Sequence, residues 1–288
     1  MLKKKTIVDF YNMKSKGEKV AWITAYDAPI AALAEASGLD MLLVGDSLGM
    51  CVCGYDGTVP VTMEQCLHHT RAVRTGAPNT FVIGDMPFLS YQVSVEEAVR
   101  NAGRFLKEAG ADAIKLEGGA RVGRQIRAIV DAGIVVFGHI GLTPQSSGQM
   151  GGYKAQGRTV ESARLVIQDA LAVQEAGAHF LLVEGVTPEV TRVIHEHLRI
   201  PVYSIGAGPE ADGQLLIVSD LLGIFQAFTP HFVKKYAHLS DDIQRAFGEY
   251  CTEVRSGVFP DPEHVYNMKE GESDKLGALE QEMFGAKS

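Results

Sequence analysis

Five hydrophobic, strand-like runs of this chain end in a carboxylate: WITAYD at Asp27, MLLVGD at Asp46, FVIGD at Asp85, AIKLE at Glu117 and FLLVE at Glu184. An acid that closes a buried run is costly unless it faces water, a cation or a partner. Spread over most of the chain, these endings predict acids that converge on one rim of a barrel. That rim, at the C-terminal ends of the strands, is where (β/α)8 enzymes keep their chemistry.

Asp46 and Asp85 both follow Gly, in LVGDSLG and VIGDMPF, and Gly allows a ligand or metal to approach the backbone. Two hard carboxylates without a cluster of Cys and His favour Mg²⁺ over zinc. Such an ion takes one or two protein carboxylates and leaves positions for a bidentate substrate. The alternative is that each Asp caps the turn that follows it. Lys115 and Glu117 are two apart in AIKLEGG, so a strand presents both on one face and turns Leu116 toward the helices. An inward Lys requires an anionic partner. It could pair with Glu117, form a Schiff base or hold a substrate carboxylate. His139 closes a fifth run in VVFGHIG, ahead of the Gly- and Gln-rich stretch 138–158, which could close over a substrate and exclude water. Glu184 is the candidate general base, because partial desolvation at the end of an apolar strand raises a carboxyl toward working pH. A salt-bridged rim residue is its bland alternative. Gly206, Ala207 and Gly208 could expose backbone N–H groups to an anion or simply allow close packing.

These side chains need a scaffold, and a βα rhythm supplies one. Strand candidates are 20–26, 41–45, 80–84, 113–117, 134–138, 180–184, 201–206 and 215–225; helix-like stretches lie at 28–37, 62–76, 94–109, 121–132, 159–176 and 187–198. Ser94 with Glu97, and Thr62 with Gln65, have capping-box spacing. EAGADAIKLEG at 108–118 returns as EAGAHFLLVEG at 175–185 and more loosely as EASGLDMLLVGD at 35–46. In each copy a helix ends, Gly turns the chain, and a buried strand runs to an acid. The fold expected is α/β, a single (β/α)8 TIM barrel over residues 1–265 with an N-terminal capping helix bearing Ile7, Phe10, Tyr11 and Met13. A doubly wound open sheet is the alternative. A polar C-terminal tail is expected over 266–288.

With 288 residues, 46% of them hydrophobic, the chain can bury a large core. Its net charge of -8 argues against nucleic acid. Cys51, Cys53, Cys66 and Cys251 form no CxxC pair and no zinc spacing, which predicts free thiols in a reducing compartment. No apolar run approaches a membrane span and no leader is visible at the N-terminus, so a cytoplasmic protein is expected.

VGDSLGM at 44–50, PVTMEQCLHHTRAVRTGAP at 60–78, GDMPF at 84–88, KLEGG at 115–119, GHIGLTPQS at 138–146, GGYKAQGR at 151–158, IGAG at 205–208 and SGVFPDPEH at 256–264 together resemble the ketopantoate hydroxymethyltransferase family. The resemblance covers about residues 5–265. It implies transfer of a hydroxymethyl group from 5,10-methylenetetrahydrofolate to 3-methyl-2-oxobutanoate on a Mg²⁺-dependent (β/α)8 barrel, in a homo-oligomer, commonly a decamer of two stacked pentamers. By that resemblance Asp46 and Asp85 ligate the metal with Glu117 in or beside its coordination sphere. Ser47 and Lys115 hold the 2-oxo acid, His139 lines its pocket, and Glu184 accepts the proton. The family usually has Gly where this chain has Ser204 and often His where it has Ser219; a Ser side chain inside the barrel could narrow the pocket or merely use spare space. Another Mg²⁺-dependent barrel acting on 2-oxo acids, such as a lyase or mutase of phosphoenolpyruvate-like compounds, is the runner-up. A retaining glycosidase using Glu117 and Glu184, and a non-catalytic binding barrel, are more distant readings.

Overall fold

The computed structural model describes residues 3–285. Eight parallel strands close into a barrel in sequence order: β1 (Val20–Thr24), β2 (Met41–Val44), β3 (Phe81–Asp85), β4 (Ala113–Glu117), β5 (Val136–Gly141), β6 (Phe180–Glu184), β7 (Val202–Ile205) and β8 (Gly213–Leu216). Seven strands lie within or close to the expected windows. The eighth is shorter than 215–225: it begins at Gly213, whose missing side chain leaves room for the Val20 carbonyl, and Val218–Leu221 is helical. A short apolar run such as LLIVSDLL does not separate strand from helix by its pattern alone.

Alternation along the strands sorts their side chains into two layers. Leu42, Val82, Ile114, Leu116, Val136 and Leu181 pack outward against the helices. Trp22, Ile83, Ala113, Phe137, Phe180 and Tyr203 fill the lower barrel, where the Phe137 and Phe180 rings stack with centroids 4.3 Å apart. One step up the same inward series, the chemistry changes. Ile83 gives way to Asp85, Ala113 to Lys115 and Glu117, Phe137 to His139, and Leu182 to Glu184. The apolar floor thus holds the polar layer above it.

The N-terminal helix, Ile7–Lys16, closes the floor as expected. Phe10 is fully buried and meets Phe81 and Phe180 edge-on at 5.3 and 5.9 Å. The residue before each even-numbered strand ties this plug down. Asp40, Asp112 and Asp212 accept from the backbone N–H groups of Ala21, Val82 and Val202, and His179 Nδ1 accepts from Val136 N–H. Lys5 pairs with Asp40 at 2.9 Å, Lys4 with Asp112, and Lys14 with Asp212 at 2.9 Å. Tyr11 donates its hydroxyl to the His179 carbonyl (3.0 Å).

Thr62 and Gln65 form the full reciprocal capping box, whereas Ser94 accepts from Glu97 N–H without the return bond. The chain divides into two compact units, 1–237 and 238–288, so the expected boundary at 265 falls inside the second. That unit holds helix Leu239–Ser256, the turn Pro262–His264 and helix Ser273–Phe284, and none of these three elements buries a residue. Among the described residues no helix is long and apolar enough to cross a membrane.

Candidate active site

A cavity of about 660 Å³ opens at the C-terminal end of the barrel, and Asp46, Asp85, Lys115, Glu117, His139 and Glu184 all line it. Strand register sets them side by side. Asp85 pairs with Lys115 across β3–β4, and Glu117 with His139 across β4–β5. Glu184 is opposite Gly141, two residues beyond His139. Of the five strand-end acids, Asp27 does not join them: its carboxylate accepts from Ile30 N–H and caps helix Ala28–Ala36.

Lys115 is the central cation. Its Nζ lies 2.8 Å from Asp85 Oδ1, 3.5 Å from Glu117 Oε1 and 3.2 Å from His139 Nδ1. Burial works against this charge, but Asp85, Glu117 and Asp46 outweigh it and raise the ammonium above the ordinary Lys range. A Schiff-base nucleophile requires the opposite shift, so the geometry favours a fixed cation over a reactive amine.

The carboxylates divide into two kinds. Glu117 is held low: burial is opposed by Lys115, His139 and the Gln145 N–H, which donates to Oε2 at 3.0 Å. Asp46 and Asp85 are pushed up, chiefly by burial; for Asp46 the charges of Asp85 and Glu117 add to it. Asp46 N–H donates to Asp85 Oδ2 (2.9 Å), which brings the two residues together. Asp85 Oδ1 is buried without an aligned hydrogen bond, although Lys115 stands within ion-pair distance. Among the described residues no group of three or more His, Cys, Asp and Glu is disposed to hold a metal. Two buried hard carboxylates held side by side still fit a magnesium ion, which needs only one or two.

His139 bridges the constellation. Nδ1 is 3.3 Å from Glu117 Oε1, and Nε2 is 3.1 Å from Glu184 Oε2. Burial and Lys115 lower the imidazole, but Glu117 and Glu184 outweigh them and hold it at about 9. Glu184 has a side chain 15% exposed, against 1–2% for Glu117 and His139, so it faces the open cavity. Ser47 also lines the cavity, 2.8 Å from the Tyr26 hydroxyl.

Two participants carried no sequence signal that identified their role. Gln145 is buried, donates from Nε2 to Asp46 Oδ2 (2.9 Å) and Met86 O (3.0 Å), and accepts the Tyr91 hydroxyl (2.7 Å). It stands in the LTPQ string, which marked it only by resemblance. Tyr91 in turn accepts from Glu117 N–H (3.1 Å). The rest of stretch 138–158 forms short turns, and Gln156 bridges to Val186; Leu142, Pro144, Tyr153 and Lys154 reach the cavity.

The glycines need correction. A Cβ on Gly84 would meet the Phe105 ring at 2.3 Å, and one on Gly138 would meet Val173 at 2.3 Å. Both face the helices, so they serve helix packing, whereas Gly45 lines the cavity. At Gly206 (φ 62°) and Gly208 (φ 86°), Phe232 and Pro188 occupy the space a side chain would need; close packing explains this pair. Ser204 also points outward, between inward Tyr203 and Ile205, and its Oγ accepts from Ala207 N–H (3.0 Å). It does not narrow the pocket. Ser219 is buried beside Cys51.

Residues 4–262 match the profile of the ketopantoate hydroxymethyltransferase family. A 3-methyl-2-oxobutanoate hydroxymethyltransferase of Alkaliphilus metalliredigens (strain QYMF) is 66% identical over 93% of this chain and 95% of its own length. Its counterpart from Syntrophobacter fumaroxidans (strain DSM 10017 / MPOB) is 54% identical over 92% and 95%. Among solved structures, a phosphonopyruvate hydrolase superposes with a TM-score of 0.60 at 14% identity, covering 97% of this chain and 99% of that one. A 2,3-dimethylmalate lyase gives 0.58 at 17% identity over 95% and 98%. Identities this low establish a shared barrel and nothing about the reaction.

Proposed function

The chain belongs to the ketopantoate hydroxymethyltransferase family and forms ketopantoate from 3-methyl-2-oxobutanoate; we propose that it does so by enolate formation and aldol-type addition in the barrel-end cavity. The observation that carries this reading is the buried cluster of Asp46, Asp85, Lys115, Glu117 and His139, with Glu184 beside it at the open side.

Asp46 and Asp85 would hold a magnesium ion, with Glu117 at its edge. Both Glu117 oxygens already face protein donors, which favours contact through water. When bound, the ion would polarise the 2-oxo group and stabilise the enolate charge. Lys115 and Ser47 would hold the substrate carboxylate and orient C3 toward Glu184. Glu184 would take the C3 proton, leaving the C–H electron pair in the enolate. His139, charged across neutral pH, would fix the Glu184 carboxylate and line the pocket. One water would hydrolyse the methylene bridge of 5,10-methylenetetrahydrofolate, breaking its C–N bonds and releasing tetrahydrofolate. The carbanion carbon would bond to the resulting formaldehyde-level carbon, and the new alkoxide would take a proton to become the hydroxymethyl group. An oligomer, a decamer by analogy with the family, is supported by Ile243, Phe247, Tyr250 and Val254. These lie at helical spacing on Leu239–Ser256 and are 38–67% exposed.

Proton NMR tests the reading with 3-methyl-2-oxobutanoate in D₂O, using metal-stripped protein, then Mg²⁺, then methylenetetrahydrofolate. Mg²⁺-dependent loss of the C3 signal and then a new hydroxymethyl resonance are expected. Exchange without transfer would remove folate as donor, and no exchange under any condition would overturn the reading.

A further inference from the structure

The polar cluster accounts for only part of the cavity. Its other wall, over β7, β8 and the chain beyond, is apolar: Ile205, Leu215, Ile217, Phe225, Phe228 and Phe232. Phe228 and Phe232 are 50% and 39% exposed, and the Phe232 ring sits against the bare face of Gly206. One carboxylate stands in this wall. Asp220 is 5% exposed and lines the cavity. Among the described residues its side chain makes no hydrogen bond and no ion pair within 4.0 Å. Burial raises its carboxyl, and the charge of Lys235 only partly opposes this.

A carboxylate set in a mostly apolar wall, with no protein donor and only the cavity solvent to satisfy it, calls for an explanation. Two parallel oxygens are best satisfied by two N–H groups that lie side by side in one plane. Phenylalanine side chains lining the same cavity favour a flat, aromatic-like ring as the group that carries them. The pterin of a folate presents that pattern, with its ring N3–H next to the 2-amino group. The closed strand order places β8 opposite β4, so the chain that carries Asp220 leaves the barrel on the side away from the strand of Lys115 and Glu117, where Asp220 neighbours Cys51.

We propose that Asp220 receives the N3–H and 2-amino edge of the pterin while Phe225, Phe228 and Phe232 flank the ring. The folate donor then occupies the β7–β8 half of the cavity and the 2-oxo acid the β2–β5 half. This assignment rests on the folate-dependent reading above and adds a subsite to it.

The test is equilibrium binding of tetrahydrofolate, and of its 2-desamino-2-methyl analogue, to the full chain and to Asp220→Asn. The native chain should bind tetrahydrofolate about 10–100-fold more tightly than the analogue, the span that hydrogen bonds to a charged group provide. Asp220→Asn should weaken tetrahydrofolate by the same factor and lose the discrimination. C3 exchange of the 2-oxo acid, which needs no folate, reports whether the opposite half is intact in the variant. Unchanged tetrahydrofolate affinity in Asp220→Asn, or equal binding of both ligands to the native chain, would overturn the subsite. An equal fall in exchange and folate binding would also overturn it, by showing that Asp220 supports the whole cavity. Failure of the catalytic reading is distinct: the native chain would then bind tetrahydrofolate yet transfer no one-carbon unit.

Discussion

Both ends of the barrel carry charged side chains at strand termini, but the two sets are satisfied in opposite ways. At the N-terminal end, Asp40, Asp112 and Asp212 each cap a neighbouring strand and hold a Lys of the plug segment. Asp212 also has His195 Nε2 at 2.8 Å. At the C-terminal end, Asp46 and Asp85 are pushed toward protonation by burial, and the Lys115 ammonium 2.8 Å from Asp85 Oδ1 offsets this only in part. Residue type alone does not tell these ends apart. A carboxylate whose donors come from the fold contributes to stability; one whose environment opposes its charge awaits something the fold does not contain.

That contrast can be broken from either side. Asp212→Ala should give the largest stability loss, about 3–5 kcal/mol, since Lys14 and the Val202 N–H lose their buried acceptor. Chemical denaturation would measure it, and turnover per folded molecule should stay within about twofold. A comparable loss of turnover would show that the lower end is part of the active site.

The upper end should respond to pH instead. With His139 at about 9 against an ordinary value of 6.5, its charged form contributes stability fully below pH 6.5. That contribution is lost as pH rises through 9, on the order of a few kcal/mol. Metal-free native protein should therefore lose stability over this window, and His139→Gln should flatten the slope. Equal slopes in the two proteins would show that the imidazole is not charged in the fold.

Asp46→Asn should produce a smaller change of opposite sign. Its carboxyl is raised in the fold, so ionisation at neutral pH opposes folding. The amide should lift the metal-free Tm by roughly 1.5–2 °C, equivalent to about 1 kcal/mol at this chain length. Mg²⁺ at a hundred times Kd should stabilise the native protein by about 2.7 kcal/mol and the variant far less. A variant that still gains the full amount would place the ion elsewhere. A comparably small effect belongs to Ser204→Gly, a loss of about 1 kcal/mol from the missing bond to Ala207 N–H. Its 2-oxo acid KM should be unchanged; a shifted KM would return that side chain to the pocket.

Much of this was legible in the sequence, because period-two alternation and strand-end chemistry are local. The spacing of Lys115 and Glu117 gave their common face, and the acids Asp46, Asp85, Glu117 and Glu184 did converge. Asp27 shared the same sequence signal but turned into a helix cap, a choice settled by whether the next residues begin a helix at once. The internal echo had a second meaning. Its Asp40, Asp112 and His179 stand at equivalent positions because each precedes an even-numbered strand and caps its neighbour. Gln145 and Tyr91 were out of reach for another reason. Their roles arise from contacts 26–99 residues apart, which no local spacing encodes. Gly84 misled because a glycine that admits a phenylalanine from an outer helix looks, in sequence, like one that admits a ligand.

The most direct test of the upper-end chemistry is the rate at which Mg²⁺-loaded Glu184→Gln exchanges the C3 proton of 3-methyl-2-oxobutanoate in D₂O, followed by NMR beside the native protein. Loss of about 10²–10⁴-fold in exchange, with 2-oxo acid affinity retained, is the predicted result. Exchange at the native rate would contradict the assignment of Glu184 as the base.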